Sequence, residues 1–202
     1  HLLNQTSGIP GLAGGRLLRS VGDGTTAQVL SELEGTQPFA SPGATFQYAN
    51  ANYVLLGMIV ERASGISYDQ YVQQRIFDPI GMRDSFVSPE AAKRAGLAVG
   101  HRFWFGLPIA HGPTSPDAVR SAGYLMSSAD DMARYLTMWL NGGVFDGRRI
   151  VSAKSLGVLR TPAADATLGA WSGHQQSRYA MGWFVGGPWK EPAIVHLGGA
   201  PD

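Results

Sequence analysis

Thr45-Phe46-Gln47-Tyr48-Ala49-Asn50-Ala51-Asn52-Tyr53-Val54-Leu55-Leu56-Gly57-Met58-Ile59-Val60-Glu61-Arg62-Ala63-Ser64-Gly65 is the stretch on which the fold turns. Following Ser41-Pro42-Gly43, Thr45 to Tyr48 reads as a short extended piece. Asn50 or Asn52 is placed to cap a helix that runs to about Ala63 and is closed by Gly65. Tyr53, Val54, Leu55, Leu56, Met58, Ile59 and Val60 surround most of its circumference, which predicts a helix buried on nearly all sides. The two-residue step from Tyr48 to Asn50, taken in extended backbone, sets a phenol and a carboxamide on the same face.

Downstream, Ser67 and Gln70 form a capping box for a second helix with Tyr68, Tyr71, Val72 and Ile76 as its apolar stripe, ended by Pro79. Ser88-Pro89-Glu90 starts a helical turn. From Gly96 to Ala122 no period emerges, which predicts a long loop. Its Phe103-Trp104-Phe105 cluster would wall a ligand cavity or pack as core beneath the loop. Ser127 or Ser128 caps a helix with Met132, Leu136, Trp139 and Leu140 on one face, ended by Asn141-Gly142-Gly143. Ser152 caps a shorter helix that stops before Pro162. Tyr179 to Val185 and Ala193 to Leu197 then read as an antiparallel pair of strands joined through Gly186-Gly187-Pro188. Helices first and strands last give an α+β class.

The 202 residues suit one globular unit, and upstream of the deciding stretch the first 40 are turn-rich. Sixteen cations against fifteen carboxylates leave a net charge of +1, so no basic excess exists to track nucleic-acid phosphates. Thirteen of those cations are Arg, dispersed apart from Arg148-Arg149, and no polybasic run stands out. The absence of Cys removes disulfides, thiolate nucleophiles and sulfur-ligated metals, and five dispersed His lack metal-ligand spacing. No cofactor and no metal is expected. The longest apolar run, Tyr53 to Val60, is far short of the roughly 20 residues of a membrane-spanning helix. Because the sequence opens at His1-Leu2-Leu3 without an initiator Met or leader, it is expected to be a piece of a longer protein.

Searches for G-x-S-x-G, H-E-x-x-H and G-x-x-x-x-G-K fail. Three segments carry candidate chemistry. Tyr48-Ala49-Asn50 offers a phenol that can relay a proton if a cation lowers its pKa, and an amide that both donates and accepts. The same tripeptide also reads as a packed Tyr before a helix that Asn50 caps. His196-Leu197-Gly198-Gly199 ends the last strand, where glycine exposes a free N–H suited to an oxyanion. His196 there adds a switchable charge or serves as a packed core residue. His1-Leu2-Leu3-Asn4-Gln5-Thr6-Ser7-Gly8 reads as a helix end with a turn, and Ser7 has no neighbouring base. Asn4-Gln5-Thr6 also matches a glycosylation sequon.

Taken in order, HLLNQTSGIP, FQYANANYVLLGMIVERASG, IFDPIGMRDS, SAGYLMSSADDMARYL and HLGG resemble the serine β-lactamase and penicillin-binding-protein superfamily. The likeness is to its class C-like branch, which also holds esterases and D-amino-acid peptidases. The resemblance implies a β-lactamase/transpeptidase-like fold, with a helical subdomain over about 20 to 165 beside an antiparallel sheet flanked by helices. Only the late strands of that sheet, about 175 to 202, are expected in this partial domain spanning 1 to 202. It implies acyl transfer through a Ser, with Tyr48 as proton relay, Asn50 orienting the substrate, and His196 and Gly199 on the oxyanion side. Leu197 and Gly198 would bind substrate.

Two departures qualify the likeness. No S-x-x-K is present: the residues three before Lys93, Lys154 and Lys190 are Glu90, Val151 and Gly187. The nucleophile and its Lys would therefore lie N-terminal to His1. In place of K-T-G stands His196-Leu197-Gly198, which lacks the ammonium and hydroxyl that hold a substrate carboxylate. An ester, amide or peptide is therefore favoured over a penicillin, with no nucleic-acid partner. A catalytically inactive homologue serving as a ligand-binding or assembly module is the alternative, and a periplasmic, envelope or secreted location follows by family analogy.

Overall fold

The computed structural model describes residues 1–11, 26–111, 117–167, 176–186 and 193–198. Helix α1 (Thr26–Glu34) precedes the deciding stretch, which forms α2 (Asn50–Ser64). Gly65 closes α2 in the left-handed conformation at φ 74°, but its N-cap is Ala49, with no capping side chain. Neither Asn50 nor Asn52 caps, because Asn52 turns inward and bonds Gln5 and Ser7 instead. The burial expectation also fails: Ala51, Asn52, Val54 and Gly57 are buried, while Ile59 faces solvent. One face packs on a 3₁₀ turn (Asp117–Ala122), forming a small core of Val29, Ala51, Val54 and Val119. Gly57 is required there, since a Cβ would lie 2.3 Å from the Ser121 hydroxyl oxygen.

The capping box at Ser67 and Gln70 opens α3 (Tyr68–Val72), which runs through a π-helical turn (Gln73–Phe77) into α4 (Asp78–Ile80). Pro79 does not end this run. It follows directly on the π-helical turn within the continuous run, and Gly81 at φ 75° terminates the helix. An Arg120–Asp69 ion pair of 2.6 Å ties α3 to the 3₁₀ turn. Ser88 caps α5 (Pro89–Arg94) as expected.

The expected loop is instead a hairpin of β1 (Gly100–Trp104) and β2 (Leu107–His111), turning at Phe105 and Gly106 with both φ positive. Among the described residues the aromatic cluster joins no core: Phe103, Trp104 and Phe105 are all exposed. Apolar side chains on both faces hid the two-residue period from sequence reading.

Ser128 caps α6 (Ala129–Leu140), accepting from the Asp131 N–H at 3.2 Å. Its buried face is rotated from the expected one. Asp131, Met138 and Trp139 are buried, whereas Met132, Leu136 and Leu140 are exposed. The pivot is Asp131, whose carboxylate accepts from the Asp84 N–H and the Ser85 hydroxyl, both at 2.7 Å. Two-residue strands β3 (Val144–Phe145) and β4 (Arg148–Arg149) lead to α7 (Ala153–Arg160), capped by Ser152. The principal core gathers Val72, Phe77, Ile80, Met82, Val87, Met138, Trp139 and Leu156.

The chain ends in a four-stranded antiparallel sheet, β5 (Ala164–Thr167), β6 (Gln176–Tyr179), β7 (Phe184–Val185) and β8 (Ile194–Val195), ordered as in the sequence. Tyr179 to Val185 is thus not one strand but two with a turn between, and β5 is an addition to the expected pair. The linking residues Gly187 and Pro188 lie outside the described residues. Trp183 and Ile194 pack against the principal core and join the sheet to the helices. Among the described residues no helix is long and apolar enough to cross a membrane.

Candidate functional site

Gln5 holds the Tyr48 segment in place. Fully buried and at φ 60°, it accepts the Gln47 N–H at its backbone carbonyl (2.8 Å) and the Ala49 N–H at its side-chain Oε1 (3.0 Å). One residue thereby fixes the amides on either side of Tyr48. The same Oε1 accepts a 2.5 Å bond from the Asn52 carboxamide, whose own Oδ1 accepts from the Ser7 hydroxyl at 2.6 Å. The His1–Gly8 segment, expected to be an incidental turn, is the clamp behind the Tyr48 turn. Ser7 spends its proton on Asn52, and Asn4 of the sequon accepts from the Thr6 hydroxyl at 2.7 Å.

Thr45 to Ala49 runs without a strand ladder, and aromatic packing holds it against the sheet. Phe46 lies 5.1 Å from Tyr179 and 6.4 Å from Phe184, ring centre to ring centre, while Tyr179 and Phe184 meet edge-on at 4.8 Å. His196, just past β8, completes the cluster. Its ring is 5.9 Å from Tyr48, 5.9 Å from Phe184 and 6.4 Å from Tyr179. Tyr48 and His196, far apart in sequence, therefore meet at the junction of helical layer and sheet.

The remaining site candidates are placed as follows. Asn50 is the first residue of α2, half-buried, with its carboxamide free of side-chain hydrogen bonds among the described residues. Leu197 is exposed, and Gly198 is open, with nothing within 4 Å of where a Cβ would stand. Gly199 lies outside the described residues.

Electrostatics at the site run against a preformed base. Partial burial pushes the Tyr48 phenol, 38% exposed, above its ordinary value of 10, and no cation among the described residues counters it. Burial likewise lowers His196 below its ordinary 6.5, partly offset by a backbone bond at Leu197, so the imidazole is neutral near pH 7. Tyr179 rises far above the ordinary phenol range through burial and then the neighbouring Tyr53. Tyr53 itself donates to the Leu3 carbonyl at 3.0 Å. Two buried polar atoms of this cluster, the Tyr179 hydroxyl and Gln5 Nε2, meet no partner at hydrogen-bond geometry among the described residues, although the Tyr53 hydroxyl and the Gln5 carboxamide lie close enough to Tyr179 to bear on its titration.

Sequence reasoning missed Gln5 and Asn52 as architects of the site. No local pattern flags them, since Gln5 acts through a left-handed backbone and contacts more than forty positions away.

A family model described as Beta-lactamase matches residues 1–201. The chain belongs to the beta-lactamase family. It is 32% identical over 190 residues to penicillin-binding protein 4 of Amycolatopsis lactamdurans, covering 91% of this chain and 48% of that protein. The octameric penicillin-binding protein homologue of Pyrococcus abyssi superposes with a TM-score of 0.71 at 26% identity, over 92% of this chain and 42% of that one. The D-amino acid amidase of Ochrobactrum anthropi SV3 gives a TM-score of 0.70 at 22% identity, over 99% and 57%, a likeness of fold. The beta-lactamase domain of this chain thus spans about half the length, or less, of the curated relatives it matches. It has the expected mixed α+β architecture of a β-lactamase/penicillin-binding-protein-like fold.

Proposed function

We propose that these residues form the Tyr-bearing and strand-edge walls of a serine hydrolase that works through an acyl-enzyme on an ester, amide or peptide substrate. The nucleophilic Ser and its Lys would come from outside the 202 residues, which contain no S-x-x-K. In this reading the Ser oxygen attacks the substrate carbonyl carbon, its proton passes to the Lys, and charge collects on the carbonyl oxygen. The carbonyl then re-forms, the bond to the leaving alcohol or amine breaks, and the leaving group takes a proton from the Tyr48 phenol. Water reverses the sequence and frees the acid. Asn50 would orient the substrate, the Gly199 N–H would receive the oxyanion, and His196, Leu197 and Gly198 would border the acyl side.

The observation that carries the reading is the meeting of Tyr48 with His196 at 5.9 Å across the junction of the two layers. A phenol kept protonated by burial suits donation to a leaving group better than abstraction. A neutral His196 beside Leu197 offers no charge to a substrate carboxylate, which favours esters and amides over carboxylate-bearing β-lactams. The amidase among the structural neighbours is consistent with an amide. A periplasmic, envelope or secreted setting belongs to the same proposal.

The test is hydrolysis of chromogenic esters and D-amino-acid amides by the full-length polypeptide and its Tyr48→Phe variant. A loss of about 10² to 10⁴ in kcat with the fold intact is expected. Unchanged turnover would remove Tyr48 from the chemistry. No hydrolysis and no acylation by an active-site Ser probe in either form would favour the inactive, ligand-binding homologue.

A further inference from the structure

The hairpin of β1 and β2 stands apart from everything above. Among the described residues it is a two-stranded sheet joined to no other strand, and every one of its residues except His111 is exposed. Isolated hairpins are marginal in water, and this one carries its largest apolar side chains outward. Phe103 is 77% exposed, Trp104 68%, Phe105 92% and Leu107 66%. Single exposed apolar residues need no explanation, but a contiguous block from Phe103 to Ala110 without one polar side chain does.

Charge narrows the choice of partner. Between Glu90 and Asp117 the sequence holds no carboxylate, while it holds Lys93, Arg94 and Arg102 with His101 and His111. The near-neutral total hides this local imbalance. The register sets Arg102 opposite Ile109 and Trp104 opposite Leu107, so apolar groups occupy the tip and cationic ones stand behind it. Three residues separate Phe105 from Arg102, roughly 10 Å of strand. That matches the 5–10 Å to which apolar groups sink at a bilayer surface, with Trp favoured at that depth. Two copies pairing tip to tip would bring like charges together.

We infer that the Phe103–Ala110 hairpin tip docks on an anionic lipid surface, its aromatic block entering the headgroup boundary and Arg102, behind the tip, meeting lipid phosphates. The tip's own cross-strand hydrogen bonds satisfy part of its backbone, and the open edges stay at headgroup level. This contact is independent of any hydrolytic reaction.

The test is co-sedimentation of the full-length polypeptide with phosphatidylcholine vesicles, with and without phosphatidylglycerol. Binding to the mixed vesicles at least about tenfold tighter, weakened by salt, is expected. The triple change Phe103→Ser, Trp104→Ser and Phe105→Ser should abolish it with an unchanged unfolding curve, and Arg102→Glu should weaken it about tenfold. Brominated lipid should quench fluorescence in the parent protein and less in Trp104→Phe. Four results would overturn the inference: equal binding to both vesicle types, no binding to either, indifference to the triple change, or a dimer in vesicle-free solution that the triple change dissolves. Protection of Trp104 from solvent labelling without vesicles would also do so, placing the tip against the rest of the polypeptide.

Discussion

Two aromatic clusters of similar composition have opposite fates in this molecule. Tyr179 and Phe184 are buried, and Phe46, Tyr48 and His196 close on them around a segment that Gln5 holds from behind, with Tyr48 and His196 still open to solvent at the rim. Phe103, Trp104 and Phe105 project from a hairpin that, among the described residues, joins no larger sheet. Residue type is therefore a poor guide to burial here; the difference lies in whether distant backbone offers hydrogen bonds and a face to pack against. The first cluster has both, from the N-terminal clamp and from β6 and β7. The hairpin has only its own turn.

The contrast can be broken from the buried side. Tyr179→Ala should cost about 3 to 5 kcal/mol in urea unfolding, because it empties the centre of the box. Tyr179→Phe should cost under about 1 kcal/mol, since the hydroxyl lost meets no partner at hydrogen-bond geometry among the described residues. Gln5→Ala should cost about 2 to 4 kcal/mol, as it strips an acceptor from the Ala49 N–H and the Asn52 carboxamide in a fully buried position. A Gln5→Ala protein as stable as its parent would show that the clamp does not hold the Tyr48 turn.

His196 gives a smaller effect with a definite sign. Its folded pKa lies below 6.5, so the unfolded chain binds the proton more readily. The contribution is fully present above pH 6.5 and is lost as pH falls through the folded value. Thermal melts of wild type should therefore decline between neutral and mildly acid pH more steeply than those of His196→Gln; parallel curves would contradict the partial desolvation of this otherwise exposed residue's ring. Smallest of all, Phe105→Ser should change unfolding stability by no more than about 0.5 kcal/mol, because its side chain is 92% exposed and meets only the Trp104 ring edge-on.

Helix existence was legible because caps are local. Ser67, Ser88, Ser128 and Ser152 each accept the amide three residues on, as their sequence neighbourhoods predict. Which face of a helix is buried was less so. In α6 the apolar stripe misled, because Asp131 is drawn inward by the Asp84 amide and Ser85 hydroxyl, contacts no window around it contains. The ordered motifs read correctly as those of the beta-lactamase family, and Tyr48 and His196 were singled out before their contact was visible. The groups that place Tyr48, namely Gln5 and Asn52, stayed hidden because their role depends on a left-handed backbone and on pairing across the chain.

The central claim is that residues 48 and 196 face each other in one site. A nuclear Overhauser spectrum of the folded full-length polypeptide, with Tyr and His selectively protonated in a deuterated background, tests it without any assumption about substrate. Rings with centres 5.9 Å apart should give a cross-peak between the Tyr48 ring protons and the His196 imidazole, lost in His196→Gln. A well-folded sample with both spin systems assigned and no such cross-peak would contradict the account.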